Sequence, residues 1–258
     1  SDTHGRVCLN RDEVEKILEK KSEDLDRIDE IAHLRKEYIL PAKIYFVGNS
    51  LGPQPRGAVR NVSEVLTSWA ERGVAGHFSG SHPWLNYDED FLVVEQAKLV
   101  GALPSETALM NSLTVNLHLL LTRFYQPCGQ RRKILIEEKA FPSDFYAIES
   151  QVRLHAQDPS ECIEIISPRV GEHVIRAEDL DAKIEKIGHE LALVVMSGVH
   201  YYTGQLFDIP RVTARAHSVG AKVIWDLAHA VGNVDLCLHA WKVDGAAWCT
   251  FKYMSSGP

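Results

Sequence analysis

The chain has 258 residues, 45% of them apolar, and a formal charge of -7, which allows a sizeable core in one large domain or two small ones. A negative balance, with Arg131-Arg132-Lys133 as the one basic knot, excludes a sequence-independent grip on nucleic acid or an anionic membrane. Five cysteines, odd in number and without C-x-x-C spacing, indicate neither a disulfide framework nor a zinc site. No run approaches the ~18 apolar residues of a membrane span, and a charged N-terminus without an apolar signal core predicts a soluble, cytoplasmic protein.

From Asn10 to about Glu19, Val14, Ile17 and Leu18 recur at helical spacing, and Leu25, Ile28, Ile31 and Leu34 form a second stripe. These predict amphipathic helices packed at a domain edge, an N-terminal helical segment over 1–40 followed by a large domain over 41–258. Ile44 to Val47 is strand-like and runs into the turn Gly48-Asn49-Ser50-Leu51-Gly52-Pro53, which lacks the spacing of a dinucleotide loop or a P-loop. A helix from about Arg56 to Glu71 leads to Gly76-His77, where a histidine among glycines reads as a surface residue.

A helix from about Glu89 to Leu99 precedes Asn111-Ser112-Leu113-Thr114, which opens an apolar helix over Val115 to Phe124. Hydroxyl residues there can cap the helix; the same geometry offers free N–H groups and the positive end of the dipole to an anion. Lys133 to Glu137 is a strand, and Phe141-Pro142-Ser143-Asp144 is a turn opening a helix. Two strand and helix pairs follow: Cys162 to Ile166 with Ala177 to Ile187, then Leu191 to Met196 with Pro210 to Val219. Ser197-Gly198 after the latter strand lacks the G-x-S-x-G frame of a serine nucleophile. The alternation predicts an α/β fold, a mainly parallel sheet with helices on both faces.

The last stretch carries the chemistry. Ala221 to Trp225 is a buried strand ending on Asp226, with His229 three residues on; a second apolar run, Ala246 to Phe251, ends on Lys252. If both strands lie in one sheet with their carboxyl ends together, acid and amine meet where open α/β sheets bind ligands. Pyridoxal phosphate (PLP) uses that pair: the amine links to its aldehyde, and the acid keeps its pyridine nitrogen protonated. Strand ends also carry Asp and Lys simply because they meet water, and spacing alone leaves that reading open. His229, His239, Cys237 and Cys249 lack ligand spacing, so no metal is expected.

The residues Asp226-Leu227-Ala228-His229-Ala230-Val231-Gly232-Asn233 and Trp248-Cys249-Thr250-Phe251-Lys252-Tyr253 resemble kynureninase, a PLP enzyme of the aminotransferase fold. The likeness covers roughly Ile44 to Ser256. It implies a catalytic pair, Lys252 and Asp226, and a cofactor pocket of Leu113, Thr114, Phe141, Pro142, Ser143, Asp144, Ser197, His229 and Phe251. Ser50 and His77 become substrate contacts. It further implies hydrolysis of L-kynurenine or 3-hydroxykynurenine to anthranilate or 3-hydroxyanthranilate plus L-alanine, on a homodimer, in tryptophan catabolism.

Two departures accompany it. The family continues well past position 258 with the rest of the large domain and a small C-terminal domain, so a truncated chain or fragment is expected. Position 251 is Phe251 where the family has tyrosine, removing a hydroxyl aimed at the phosphate. Alternatives are a non-catalytic product that at most binds PLP or pairs with full-length subunits, and another PLP enzyme such as an aminotransferase or cysteine desulfurase.

Overall fold

The computed structural model describes residues 10–41, 44–86 and 92–257; Cys8 and the expected helix start at Glu89 fall outside them. Helix α1 (Arg11–Ile28) opens with a capping box. Asn10 Oδ1 accepts from the Glu13 N–H at 3.0 Å, and the Glu13 carboxylate accepts from the Asn10 N–H at 2.9 Å. The first predicted stripe and the Leu25–Ile28 half of the second enter one helix, whereas Ile31 and Leu34 of the second stripe fall at the cap of and within a 3₁₀ turn at Ala32–Glu37. None of its apolar residues is buried, so the expected edge packing is not seen among the described residues.

Strand β1 (Tyr38–Ile39) pairs antiparallel with β2 (Gln54–Pro55). The strand expected over Ile44 to Val47 does not form. The Val47 carbonyl is taken by the N–H groups of Ser50 and Leu51 in a turn, and Phe46 stands 90% exposed. Helices α2 (Ala58–Arg72), α3 (Val93–Val100) and α4 (Leu113–Phe124) lead to the central sheet.

That sheet is built from β3 (Lys133–Glu137), α5 (Pro142–Leu154), α6 (Pro159–Cys162), β4 (Ile163–Ile166), α7 (Ala177–Ile187), β5 (Leu191–Ser197), α8 (Ile209–Ser218), β6 (Lys222–Asp226) and β7 (Gly245–Ala247). All five strands are parallel, in the order β4-β3-β5-β6-β7. Strand residues alternate between two cores, as a period of two requires. Ile134, Ile136, Leu193, Val195 and Ile224 face α4 and α5. Leu135, Val194, Met196, Val223 and Trp225 face α7 and α8. Continuous apolar runs such as Leu191 to Met196 are what burial on both faces demands, and the expected two-sided α/β sheet is the one found.

One boundary differs from expectation in a way that matters. The run Ala246 to Phe251 was expected to be strand throughout, yet β7 stops at Ala247. The Ala247 carbonyl accepts the Leu227 N–H at 2.8 Å, and the Trp248 indole then turns to Gln96 Oε1 at 3.1 Å. From there the chain leaves the sheet, and Lys252 sits in a tight loop closed by Ser255 N–H to Lys252 O and Ser256 N–H to Thr250 O.

At the opposite end of the sheet Asp244 ties three elements together. Its carboxylate accepts from His217 Nε2 at 2.6 Å, Lys222 Nζ at 2.7 Å and the Val223 N–H at 2.9 Å. Burial alone would raise this carboxyl, but its hydrogen bonds from Lys222, His217 and Val223 outweigh burial and hold it below the ordinary range. A depressed pKa contributes stability that is present above the unfolded value and lost as pH falls through the folded one. Asp244→Asn is expected to cost about 2 kcal/mol at neutral pH. In urea melts the deficit should shrink as pH drops below the usual carboxylate pKa of ~3.9; a deficit independent of pH would contradict this account.

Candidate active site

Parallel strands deliver their last residues to one edge, and here those residues are Glu137, Ser197 and Asp226. Ser197 and Asp226 lie opposite each other in register. Asp226 is fixed by the Ala228 N–H, which donates to its Oδ1 at 2.8 Å. Asp144, in the first turn of α5, is buried with it. Burial raises the pKa of both; Asp144 is pushed up to about 9 by burial, then by the charge and hydrogen bond of Asp226. Two carboxyls buried against each other share one proton.

Ser197 donates both its N–H (3.0 Å) and its hydroxyl (2.5 Å) to Glu137 Oε1. Glu137 is buried, and burial pushes its pKa up; its Oε2 has no hydrogen-bond partner among the described residues. The site edge thus carries three buried carboxyls.

Facing them is Lys252. Its Nζ is 3.1 Å from His229 Nε2 and 5.7 Å from the centre of the Phe141 ring. His229 sits in the turn after β6; burial, then the charges of Lys252 and His200, depress its pKa to about 4, so the imidazole is neutral at pH 7. Phe141, at the N-cap position of α5, is held from behind: Tyr201 meets it edge-on at 5.1 Å and stacks on His200 at 5.6 Å. His200 is itself locked. Its Nδ1 accepts from the Tyr202 and Thr203 N–H groups at 3.2 Å, so Nε2 carries the proton and donates to Glu138 O at 3.1 Å. Pro142 starts α5 and Ser143 donates to Asp144 Oδ1 at 3.2 Å.

A cavity of about 840 Å³ opens in front of α4 and is lined by Asn111, Ser112, Leu113, Asn116, Thr250 and Phe251 among others. Ser112 occupies the N-cap position but makes no capping hydrogen bond, so the first N–H groups of the helix, beginning at Leu113 and Thr114, have no side-chain cap. That leaves a dipole end suited to an anion, beside the ring of Phe251.

The structure gathers Asp226, Asp144, Ser197, His229, Lys252 and Phe141 at one edge, with Leu113 and Phe251 on the adjoining cavity. Ser50 and His77 are placed differently. Ser50 is exposed in its turn, its N–H on Val47 O, and His77 packs edge-on against Trp84 at 5.4 Å. From the Asn49 to Pro53 turn it is Gly52 that reaches the lysine loop, donating its N–H to Phe251 O at 2.8 Å.

Three residues at this edge escape sequence reasoning. Glu137 reads as an ordinary strand end, Tyr253 as a neighbour of the lysine, and Gly52 as a turn former. For Gly52 the signal is a glycine whose conformation does not require one. An added Cβ would lie 2.2 Å from Lys252 O and 2.3 Å from Ser255 Oγ. Gly52→Ala is therefore expected to displace the lysine loop and cost about 1–3 kcal/mol. Hydrogen exchange at the Gly52 and Ser255 amides should accelerate in the variant; unchanged exchange would show that the loop holds without this contact.

Three comparisons bear on this arrangement. The class-V aminotransferase family model matches residues 98–257. The chain is 54% identical to the kynureninase of Flavobacterium johnsoniae over 242 residues, covering 92% of this chain and 57% of that protein. It is 48% identical to the kynureninase of Rattus norvegicus over 262 residues, covering 99% of this chain and 55% of the relative. The chain thus spans little more than half the length of the curated relatives it matches. Among solved structures it is similar to a C-DES mutant carrying glycine covalently linked to its PLP cofactor, with a TM-score of 0.71, 17% identity, and 87% and 57% of the two chains covered. It is also similar to the cysteine desulfurase CsdA of Escherichia coli, with a TM-score of 0.68, 14% identity, and 87% and 55% covered. At these identities the structures speak to the fold alone.

Proposed function

Because the chain belongs to the class-V aminotransferase family, we propose that it carries the cofactor-holding part of a kynureninase site. The reaction is hydrolysis of L-kynurenine or its 3-hydroxy form to the corresponding anthranilate and L-alanine. The observation that carries this reading is the facing of Lys252 and the buried Asp226–Asp144 pair across one sheet edge. Buried carboxyls with one shared proton favour a cationic partner, and a protonated pyridine ring is such a partner.

The chain's residues fit PLP in three further respects. The helix end at Leu113 and Thr114 suits its phosphate. The braced ring of Phe141 suits its aromatic plane. Ser197, Ser143 and His229 supply polar atoms around that plane, and Pro142 fixes the turn that holds Phe141 and Asp144.

When bound, PLP supplies an electron sink for the bonds broken at the substrate's Cα and side chain. Asp226 keeps the proton on the pyridine nitrogen, and Asp144 holds Asp226 in place through their shared hydrogen bond. Lys252 supplies the tethering amine and afterwards the base for the Cα proton. Ser50 and His77 remain proposed substrate contacts that depend on how their loops meet the substrate.

Among the described residues no helix is long and apolar enough to cross a membrane; a cytoplasmic location and a small-molecule substrate belong to this proposal through the likeness to kynureninases. Helix α2 supports a homodimer. Val59, Val62, Leu66 and Trp69 recur at intervals of three and four on its surface and are all exposed, a seam that suits a second copy. Light scattering should give twice the chain mass, and Trp69→Glu should return it to a monomer; a parent that is already monomeric would remove the dimer from this proposal.

The central test adds PLP to the purified chain, traps with borohydride and maps the peptide. A pyridoxyl group on Lys252 is expected, and kynurenine with the loaded chain should release fluorescent anthranilate; a folded chain with no adduct would overturn the reading. Phe251→Tyr restores a hydroxyl beside the α4 terminus. It should tighten PLP binding about tenfold, the worth of one charge-assisted hydrogen bond of ~1.5 kcal/mol.

A further inference from the structure

We propose that Tyr253 is a proton-relaying and positioning residue, whose hydroxyl, the His229 imidazole and the Lys252 amine form one chain connecting the amine to solvent. The inference rests on the reading of Lys252 as the tethering amine. It begins with two links of equal length on opposite sides of one ring: Lys252 Nζ to His229 Nε2 at 3.1 Å, and His229 Nδ1 to the Tyr253 hydroxyl at 3.1 Å. The two rings meet edge-on at 5.9 Å.

The imidazole is held in this position from its own backbone. Its carbonyl accepts from Asn233 Nδ2 at 2.9 Å, and the turn is closed by the Ala230 N–H on Leu227 O. His229 is buried, whereas Lys252 and Tyr253 on either side of it are half-buried, so a buried ring joins the amine to the hydroxyl. Phe251 offers no hydroxyl for this purpose.

The other groups near these atoms are committed. Lys252 is faced by Asp226, Cys249 and the rings of Phe141 and Phe251; His229 is faced by Lys252 and Tyr253 and feels the charge of His200. Asp226 shares a proton with Asp144. The Cys249 thiol is pushed up by burial and stays protonated. His200 is fixed between Glu138 and the Tyr202–Thr203 backbone.

An amine must lose its extra proton before it can attack an aldehyde, and the neutral ring nitrogen of His229 lies 3.1 Å from Nζ, within reach to accept it. The relay removes it in three linked moves. The Nζ–H bond breaks as Nε2–H forms; Nδ1–H breaks as a new bond forms to the Tyr253 oxygen; the original Tyr253 O–H breaks as its proton passes to water. Lys252 ends one proton poorer and solvent one richer. Tyr253 is unchanged, and His229 is left as its other tautomer without ever holding a full charge, consistent with its burial. Run backward, the same moves return a proton to Lys252.

The test is stopped-flow measurement of PLP attachment to Lys252 across pH, in water and deuterium oxide, for the parent, Tyr253→Phe, His229→Gln and the double variant. Circular dichroism confirms folding, and borohydride mapping confirms the attachment point. Each single variant should be about tenfold slower, at the lower edge of what positioned proton transfer contributes. Each should also lose the parent's pH dependence and solvent isotope effect, and the double variant should be no slower than the singles. A Tyr253→Phe rate and pH profile equal to the parent's would overturn the relay while leaving attachment at Lys252 intact. Additive slowing with the parent's pH profile and isotope effect would reduce both residues to structural support and overturn it as well. Absence of any adduct on Lys252 in the parent would instead overturn the underlying functional reading, and the relay with it.

Discussion

Burying an ionisable carboxyl at the end of a central strand is the constraint around which this chain is arranged. Asp226 cannot sit at the tip of β6 as an unpaired charge, because the cost of isolating it from water far exceeds what one backbone hydrogen bond returns. Its surroundings answer that cost from several directions: the Ala228 amide, the shared proton of Asp144, and the amine of Lys252 beyond them. The Ala228 amide is local, but Asp144 follows β3 and Lys252 follows β7, so the parallel register of β3, β5, β6 and β7 has to be correct before either can help.

The two cores make that register dependable. With Ile224 on one face and Val223 and Trp225 on the other, a slip of one residue would exchange the cores and carry Asp226 out of its pocket. Asp244 pins the other end of the same strands through His217, Lys222 and the Val223 amide. Polar anchoring at one end and apolar alternation along the length thus leave the opposite end free to hold groups that are costly to bury.

Much of this is legible in the sequence where a pattern repeats. The runs Lys133 to Glu137 and Leu191 to Met196, each followed by a helix period, give the sheet and its layers almost residue for residue, and Asp226 and Lys252 stand out because each closes an apolar run. What fails is what depends on partners far along the chain. Ile44 to Val47 has the composition of a strand but runs into a turn that takes the Val47 carbonyl, and Trp248 to Phe251 leaves the sheet because Trp248 finds Gln96. Glu137 and Tyr253 carry no local signal, since their meaning lies in Ser197 and His229. Ser112, which reads as a helix cap, makes no capping hydrogen bond, and nothing in the residue type alone separates a serine that caps from one that leaves the N–H groups to another partner.

The hydrogen bond from Gly52 to Phe251 joins positions near opposite ends of the described chain. Closing so long a loop gives its stabilisation only after the intervening sheet has formed, because the entropy of closure must be met before the contact exists. During synthesis the Asn49 to Pro53 turn leaves the ribosome well before its partner loop has been made. The lysine loop therefore acquires its shape only after the five strands between these positions have paired, and the amine is correctly placed only once they have. Order in the Lys252 loop thus reports that strands β3 to β7 have already come together.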